Sequence, residues 1–218
     1  MPNQDDIAAI YHCDPNCRLL LVADGHGFHG HSVSHAVAKW APHDIFEHKD
    51  FNAFDMTTTF KEVFEGMNAR LEKADVPNYH VKQSGTTLTI VTHHPIENKV
   101  WIAWVGDSLA VMGRQVMGQE GVSVRKDRGL DLTFPHKPNT PSERLRITNK
   151  GGVITGGTHE LNPARLHVKI NEPGLAMSRS IGDIEMSHVG LVATPDVKCF
   201  DLDDSDMLKT KFIKKILF

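Results

Sequence analysis

The sequence predicts an α+β domain whose sheet is covered by helices. Three observations carry this. Apolar residues fall at helical spacing between Val33 and Leu71, the pattern switches to period two from Thr86 onward, and helix-start residues reappear at Thr140–Glu143.

The first element is Cys17–Ala23, a continuous apolar run that reads as a short buried strand. It enters Asp24-Gly25-His26-Gly27, with Gly30 beyond, which reads as a polar, glycine-dense turn. From Ser32, a candidate N-cap, Val33, Ala36, Val37 and Trp40 recur at i, i+3, i+4, i+7 and predict a helix. A second helix is predicted over Thr58–Ala74. Phe60, Val63, Phe64, Met67 and Leu71 line one face, with Lys61, Glu62, Glu65 and Arg70 off it.

Thr86–His93 then alternates, Pro95–Asn98 supplies a turn, and Lys99–Val105 returns as a strand. Gly106-Asp107-Ser108 connects to Leu109–Gly113, which predicts a three-stranded antiparallel meander. Thr140 can cap the next helix, Pro141 fits its first position, Glu143 completes a capping box, and Gly151-Gly152 stops it. Thr155–Pro173 is polar and aperiodic and reads as a surface loop. Beyond Met207, Leu208, Phe212, Ile213, Ile216 and Leu217 return to helical spacing with lysines between them. That tail is expected to pack against the domain, the alternative being a basic amphipathic helix for a membrane surface or a partner groove.

Composition narrows the function. The chain has 218 residues, 40% hydrophobic and 23% charged, the profile of one globular domain with a proper core. Its formal net charge of −3 gives no case for binding a nucleic-acid backbone. No apolar run approaches the roughly 20 residues that cross a bilayer, and no basic-then-apolar leader opens the chain. Three cysteines are too few for a disulfide framework. A soluble monomer of the cytoplasm or nucleus is expected.

Three aspartates stand at strand ends beside glycine: Asp24, Asp107 and Asp183. Each alone is a common turn residue. Together they suggest a carboxylate site for a hard cation, Mg2+ or Mn2+, with His26 able to move protons beside it. Zinc is disfavoured, because neither His26/His29/His31 nor His12/Cys13/Cys17 has a standard ligand spacing. The glycine-rich stretch lacks the Lys-Ser/Thr of a phosphate-cradling loop, and no serine or cysteine lies in a nucleophile motif.

The order of segments resembles the metal-dependent protein Ser/Thr phosphatases of the PPM (type 2C) family. Asn3-Gln4-Asp5, Leu21–Gly27, Ser84–Thr87, Val105–Ser108, Leu132-Thr133 with His136-Lys137-Pro138, Glu143–Ile147, Gly151–Val153, Leu175–Asp183 and Ala193–Val197 follow that family's motifs in order. The resemblance implies a four-layer α-β-β-α sandwich, and hydrolysis of phosphoserine and phosphothreonine in protein substrates by metal-activated water. It implies two or three Mg2+ or Mn2+ ions in a complete domain. Asp24 would bridge two of them, Gly25 would offer its carbonyl, Asp5 would hold bound water with Gln4 beside it, and Asp107 would serve a further position. His26 would be the general acid, Asp183 a residue near the site, and Thr155–Pro173 the substrate-facing flap. The resemblance stops near Asp206, and Met207–Phe218 holds no acidic residue to match the family's downstream aspartate motifs. The expectation is therefore one family domain over residues 1–218, incomplete at both ends. Its alternative is an impaired pseudophosphatase or phosphoprotein-binding module on the same fold.

Overall fold

The computed structural model describes every residue except 1, 14–15, 52–54, 74–80, 117–125, 160, 203–205 and 208–218. The expected tail lies outside the described residues from 208 onward. Strands β1 (Asp5–Cys13) and β2 (Asn16–His26) come first, followed by helices α1 (Gly30–Phe46) and α2 (Thr57–Lys73). Next are β3 (Gly85–Thr86), β4 (Leu88–His94), β5 (Lys99–Val105), β6 (Val111–Val116), β7 (Lys126–Asp131) and α3 (Pro141–Asn149). The chain continues through β8 (Val153–Thr155), β9 (Arg165–His167), β10 (Ile181–Gly182), a 3-10 helix (Ile184–Val189), β11 (Asp196–Asp201) and β12 (Asp206–Met207).

Among the described residues, seven strands form one sheet in the order β10-β3-β2-β4-β5-β11, with β1 paired to β2. A second sheet has the order β12-β6-β7, and β8 pairs with β9. Strand β5 shows why these layers stack. Its side chains alternate between faces: Trp101, Ala103 and Val105 pack with Leu19, Leu21, Ile90 and the apolar stripes of α1 and α2. Val100, Ile102 and Trp104 pack on the other side with Ala110, Met112 and Leu132. A strand covered on both faces has no solvent side, so its sequence is apolar at every position after Lys99. Helices, large sheet and small sheet thus follow one another as three layers of the expected sandwich. No described helix is long and apolar enough to cross a membrane.

Several elements differ from the sequence expectations. Strand β2 runs on through Asp24, Gly25 and His26, because β1 and β3 supply ladder partners to residues that read as a turn. Helix α1 starts at Gly30, ahead of the expected Ser32 cap. The third strand of the meander leaves the large sheet: β6 pairs with β7 in the second layer. The expected loop Thr155–Pro173 contains β9, which pairs with β8.

Glu143 is not a capping residue. Thr140 precedes α3 in an extended conformation and Pro141 takes its first turn, but no side-chain cap forms. Glu143 is 2% exposed and faces inward. Arg146 donates to it through both terminal nitrogens (2.9 and 2.7 Å), Arg179 through Nη2 (2.7 Å) and Ser178 through Oγ (2.6 Å). Two guanidinium groups make this carboxylate worth more as an anchor than as a cap.

Burial pushes the Glu143 carboxyl up, but the bonds from Arg146, Arg179 and Ser178 outweigh it and hold it well below the usual carboxylate range. A depressed folded value means that Glu143 contributes its full stability above the ordinary carboxylate range and loses it as pH falls through the depressed value. Glu143→Ala is expected to cost about 3 kcal/mol, because it takes the shared carboxylate from two part-buried guanidinium groups and leaves the buried Ser178 hydroxyl without its acceptor. Urea denaturation at neutral pH and in acid checks both points, and the gap between variant and wild type should narrow in acid.

Candidate active site

The β1–β2 register places Asp5 opposite Asp24. Two carboxylates directly across a strand pair repel each other unless a cation or donors compensate. Beside them the backbone is drawn tight. Gly25 N–H donates to the Gln4 carbonyl (2.9 Å), which also accepts from Ser34 Oγ (2.7 Å). A Cβ on Gly25 would stand 2.3 Å from the Gly30 carbonyl oxygen and 2.6 Å from that of Gln4. Gly25 is therefore the residue that lets strand, helix start and Gln4 meet. The Gln4 side chain donates to the Gly27 carbonyl at 2.8 Å, which closes the same corner.

Thr87 ties this corner to Asp107. Its Oγ1 accepts from Asp24 N–H (3.0 Å) and bonds with Ser108 Oγ (2.7 Å), and its N–H donates to the Asp24 carbonyl (3.0 Å). Asp107 follows Gly106, whose φ of 91° turns the chain at the end of β5. Lys137 Nζ donates to Asp107 Oδ2 at 2.5 Å and to the Ala176 carbonyl at 3.3 Å. The next residue back, His136, accepts Gly106 N–H on Nδ1 (3.1 Å) and donates its own N–H to the Gly106 carbonyl (2.9 Å).

His26 closes β2. Its Nε2 lies 2.6 Å from Asp183 Oδ2, and its Nδ1 is buried without a hydrogen-bond partner among the described residues. Burial lowers the basicity of this imidazole, but the charge and hydrogen bond of Asp183, with the fields of Asp24 and Asp107, raise it above the usual range. Asp24, Asp107 and Asp183 thus lie within electrostatic reach of one histidine. A cavity of about 710 Å³ opens beside His26 and Asp183, lined also by Lys82, Arg165, Leu175 and Met177. Part of the expected flap contributes to its wall. Thr87 and Lys137 lie in segments that follow the family's motifs, but their contacts with Asp24, Ser108 and Asp107 span 63, 21 and 30 residues, and no local spacing signals them.

Among the described residues, no group of three or more His, Cys, Asp or Glu side chains gathers in a metal-ligating arrangement. What the strand register does assemble is a pair of hard carboxylates beside a backbone corner. That donor chemistry suits Mg2+, which is commonly held by one or two carboxylates, with water and substrate phosphate completing the shell.

A family model described as Protein phosphatase 2C matches residues 5–208. The probable protein phosphatase 2C 61 of Arabidopsis thaliana is 34% identical over 94% of this chain and 61% of its own length. Protein phosphatase 2C homolog 3 of Schizosaccharomyces pombe is 31% identical over 86% of this chain and 40% of its own. The chain therefore spans between 40% and 61% of the length of these two relatives. A serine-threonine phosphatase 2C from Toxoplasma gondii superposes with a TM-score of 0.77 at 17% identity, covering 94% of this chain and 71% of that one. A C. elegans sex determining protein does so with a TM-score of 0.69 at 19% identity, over 94% of this chain and 47% of the other. At such identities the two structures speak for the fold alone.

Thr87→Val keeps the shape of a fully buried side chain while removing the oxygen that serves Asp24 N–H and Ser108. The expected loss is about 1–3 kcal/mol, the usual cost of stranding buried polar partners, and Thr87→Ser should recover most of it. Equal urea midpoints for wild type and Thr87→Val would show that the two turns are held by other means.

Proposed function

The chain belongs to the protein phosphatase 2C family, and from that premise we propose that it acts as a metal-dependent protein serine/threonine phosphatase on phosphorylated proteins, its 218 residues forming one domain of that family. The observation that carries this reading is the placement of His26. An imidazole of raised basicity stands at the same sheet end as the Asp5–Asp24 pair and faces a cavity. Asp24 and Asp5, with the Gly25 carbonyl, are the groups that would hold Mg2+ or Mn2+, and Asp107 would serve a further ion. Such a cation supplies charge neutralisation for phosphoryl oxygens and acidifies its water near neutral pH.

The rest is the work of the chain. Gly25 keeps the corner narrow, and Gln4 and Thr87 fix the backbone on either side of Asp24. His26 donates a proton to the departing oxygen. A serine or threonine alkoxide is a poor leaving group, so this donation matters most for the natural ester. The cavity beside His26 gives the remainder of a phosphopeptide room to lie, with Lys82 and Arg165 at its wall.

Two measurements test this. Mn2+ titration by calorimetry should show binding to the wild-type protein and its loss in Asp24→Asn, a readout independent of turnover. In Mn2+-supported hydrolysis, His26→Ala should slow a phosphothreonine peptide about 10²-fold more than an aryl phosphate, whose leaving group needs no acid. Equal slowing of both esters would reduce His26 to a structural role, and undiminished Mn2+ affinity in Asp24→Asn would remove Asp24 from the metal site.

A further inference from the structure

Three strands meet side by side where β2 ends. His26 is registered against Gly85 of β3, and Gly85 against Gly182 of β10. Three neighbouring ladder positions therefore carry a single side chain, that of His26. A Cβ on Gly85 would stand 2.2 Å from Asp183 Oδ2 and 2.7 Å from its Cγ. The slot left by glycine is the space the Asp183 carboxylate occupies, reaching across the middle strand to His26 Nε2.

Asp183 is held there from several sides. Ser180 Oγ donates to Oδ2 at 2.6 Å, and Asp183 N–H donates to the Ser84 carbonyl at 3.0 Å. The preceding residue, Gly182, is pinned by its N–H to Asn68 Oδ1 of α2 at 2.9 Å. Asp183 is 4% exposed, and its backbone lies in the left-handed region at φ 48°. That conformation strains a non-glycine residue and persists only where the surroundings impose it. A glycine would sit in such a turn without strain, but it would carry no carboxylate.

We propose that Asp183 is the positioning residue for His26: it accepts Nε2–H, fixes the plane and tautomer of the ring, and leaves Nδ1 to face the departing oxygen. This rests on the phosphatase reading above for its chemistry, but the pairing stands on geometry alone. Nδ1 is the ring nitrogen that the described structure leaves buried and unpartnered. Ser180 and Gly85 have parts in the same arrangement, the first by orienting the carboxylate and the second by making room for it.

Asp183→Gly in the full 218-residue protein tests this, because glycine relieves the left-handed strain and keeps the fold. Nitrogen-15 spectra of His26, taken where the ring is neutral, should show Nε2 protonated in the wild type and a mixture of tautomers in Asp183→Gly. Gly85→Ala, which displaces the carboxylate without removing it, should give the same mixture. In Mn2+-supported hydrolysis, Asp183→Gly should slow the phosphothreonine peptide 10- to 100-fold more than the aryl phosphate. The Asp183→Gly, His26→Ala double variant should be no slower than His26→Ala alone. An unchanged His26 tautomer, or additive slowing in the double variant, overturns the proposal. If the wild-type protein hydrolyses neither ester, the phosphatase reading fails by itself, and the nitrogen-15 spectra still decide whether Asp183 orients His26.

Discussion

The hydrogen-bond register of β2 is the constraint from which the candidate site follows. This one strand pairs with β1 along one edge and with β4 and β3 along the other. The first edge sets Asp5 against Asp24, and the second sets His26 against Gly85. What fixes the register is burial. Leu19, Leu21 and Ala23 point into the core against α1 and α2, and a slip of one residue would turn all three to the opposite face. At roughly 25 cal/mol per Å² of apolar surface, such a slip costs several kcal/mol, far more than the carboxylates at the strand end could demand. The core thus selects the alignment, and the charged groups inherit it.

The same economy of means governs the charges. Asp24, Asp107 and Asp183 converge on one end of a sheet whose interior is apolar, where like charges are poorly screened. The fold answers each differently. Asp107 is met by Lys137, Asp183 by His26 and Ser180, and the Asp24 backbone is held on both sides by Thr87. A histidine among carboxylates is more basic than in water, which is the direction its neighbours impose on His26.

How much of this the sequence discloses depends on whether the signal is local. The bounds of β5 are legible because a strand covered on both faces is apolar at every position from Val100 to Val105. Helix α2 is legible because its stripe, from Phe60 to Leu71, repeats over about three turns. Strand β1 is not, since Ile7 and Tyr11 are 73% and 74% exposed and, among its described side chains, the core receives only the small Ala8. Asp24-Gly25-His26 reads as a turn because its strand partners lie far off in sequence. Glu143 satisfies the spacing of a capping box, while two of its three side-chain partners, Ser178 and Arg179, come 35 and 36 residues later. The meeting of His26 with Asp183 spans 157 residues. Such a contact is a product of topology, and neither periodicity nor local spacing records it.

A chain of hydrogen bonds links α3 to the Asp107 turn. Glu143 anchors Ser178 through its hydroxyl, and Ser178 N–H donates to the His136 carbonyl at 2.9 Å. His136 in turn grips Gly106 through two bonds, and Lys137 beside it reaches Asp107. Glu143 also holds Arg179, whose Nη1 donates to Asp196 at the start of β11, the strand paired with β5. The turn that carries Asp107 is therefore set by two routes from one buried carboxylate, one along residues 136–137 and one across the sheet. A loop-borne acid placed by β5 alone would be fixed on one side only. With both routes present, the position of Asp107 depends on the same network that attaches α3, and the stability of that helix and the geometry of the candidate site are not separable properties.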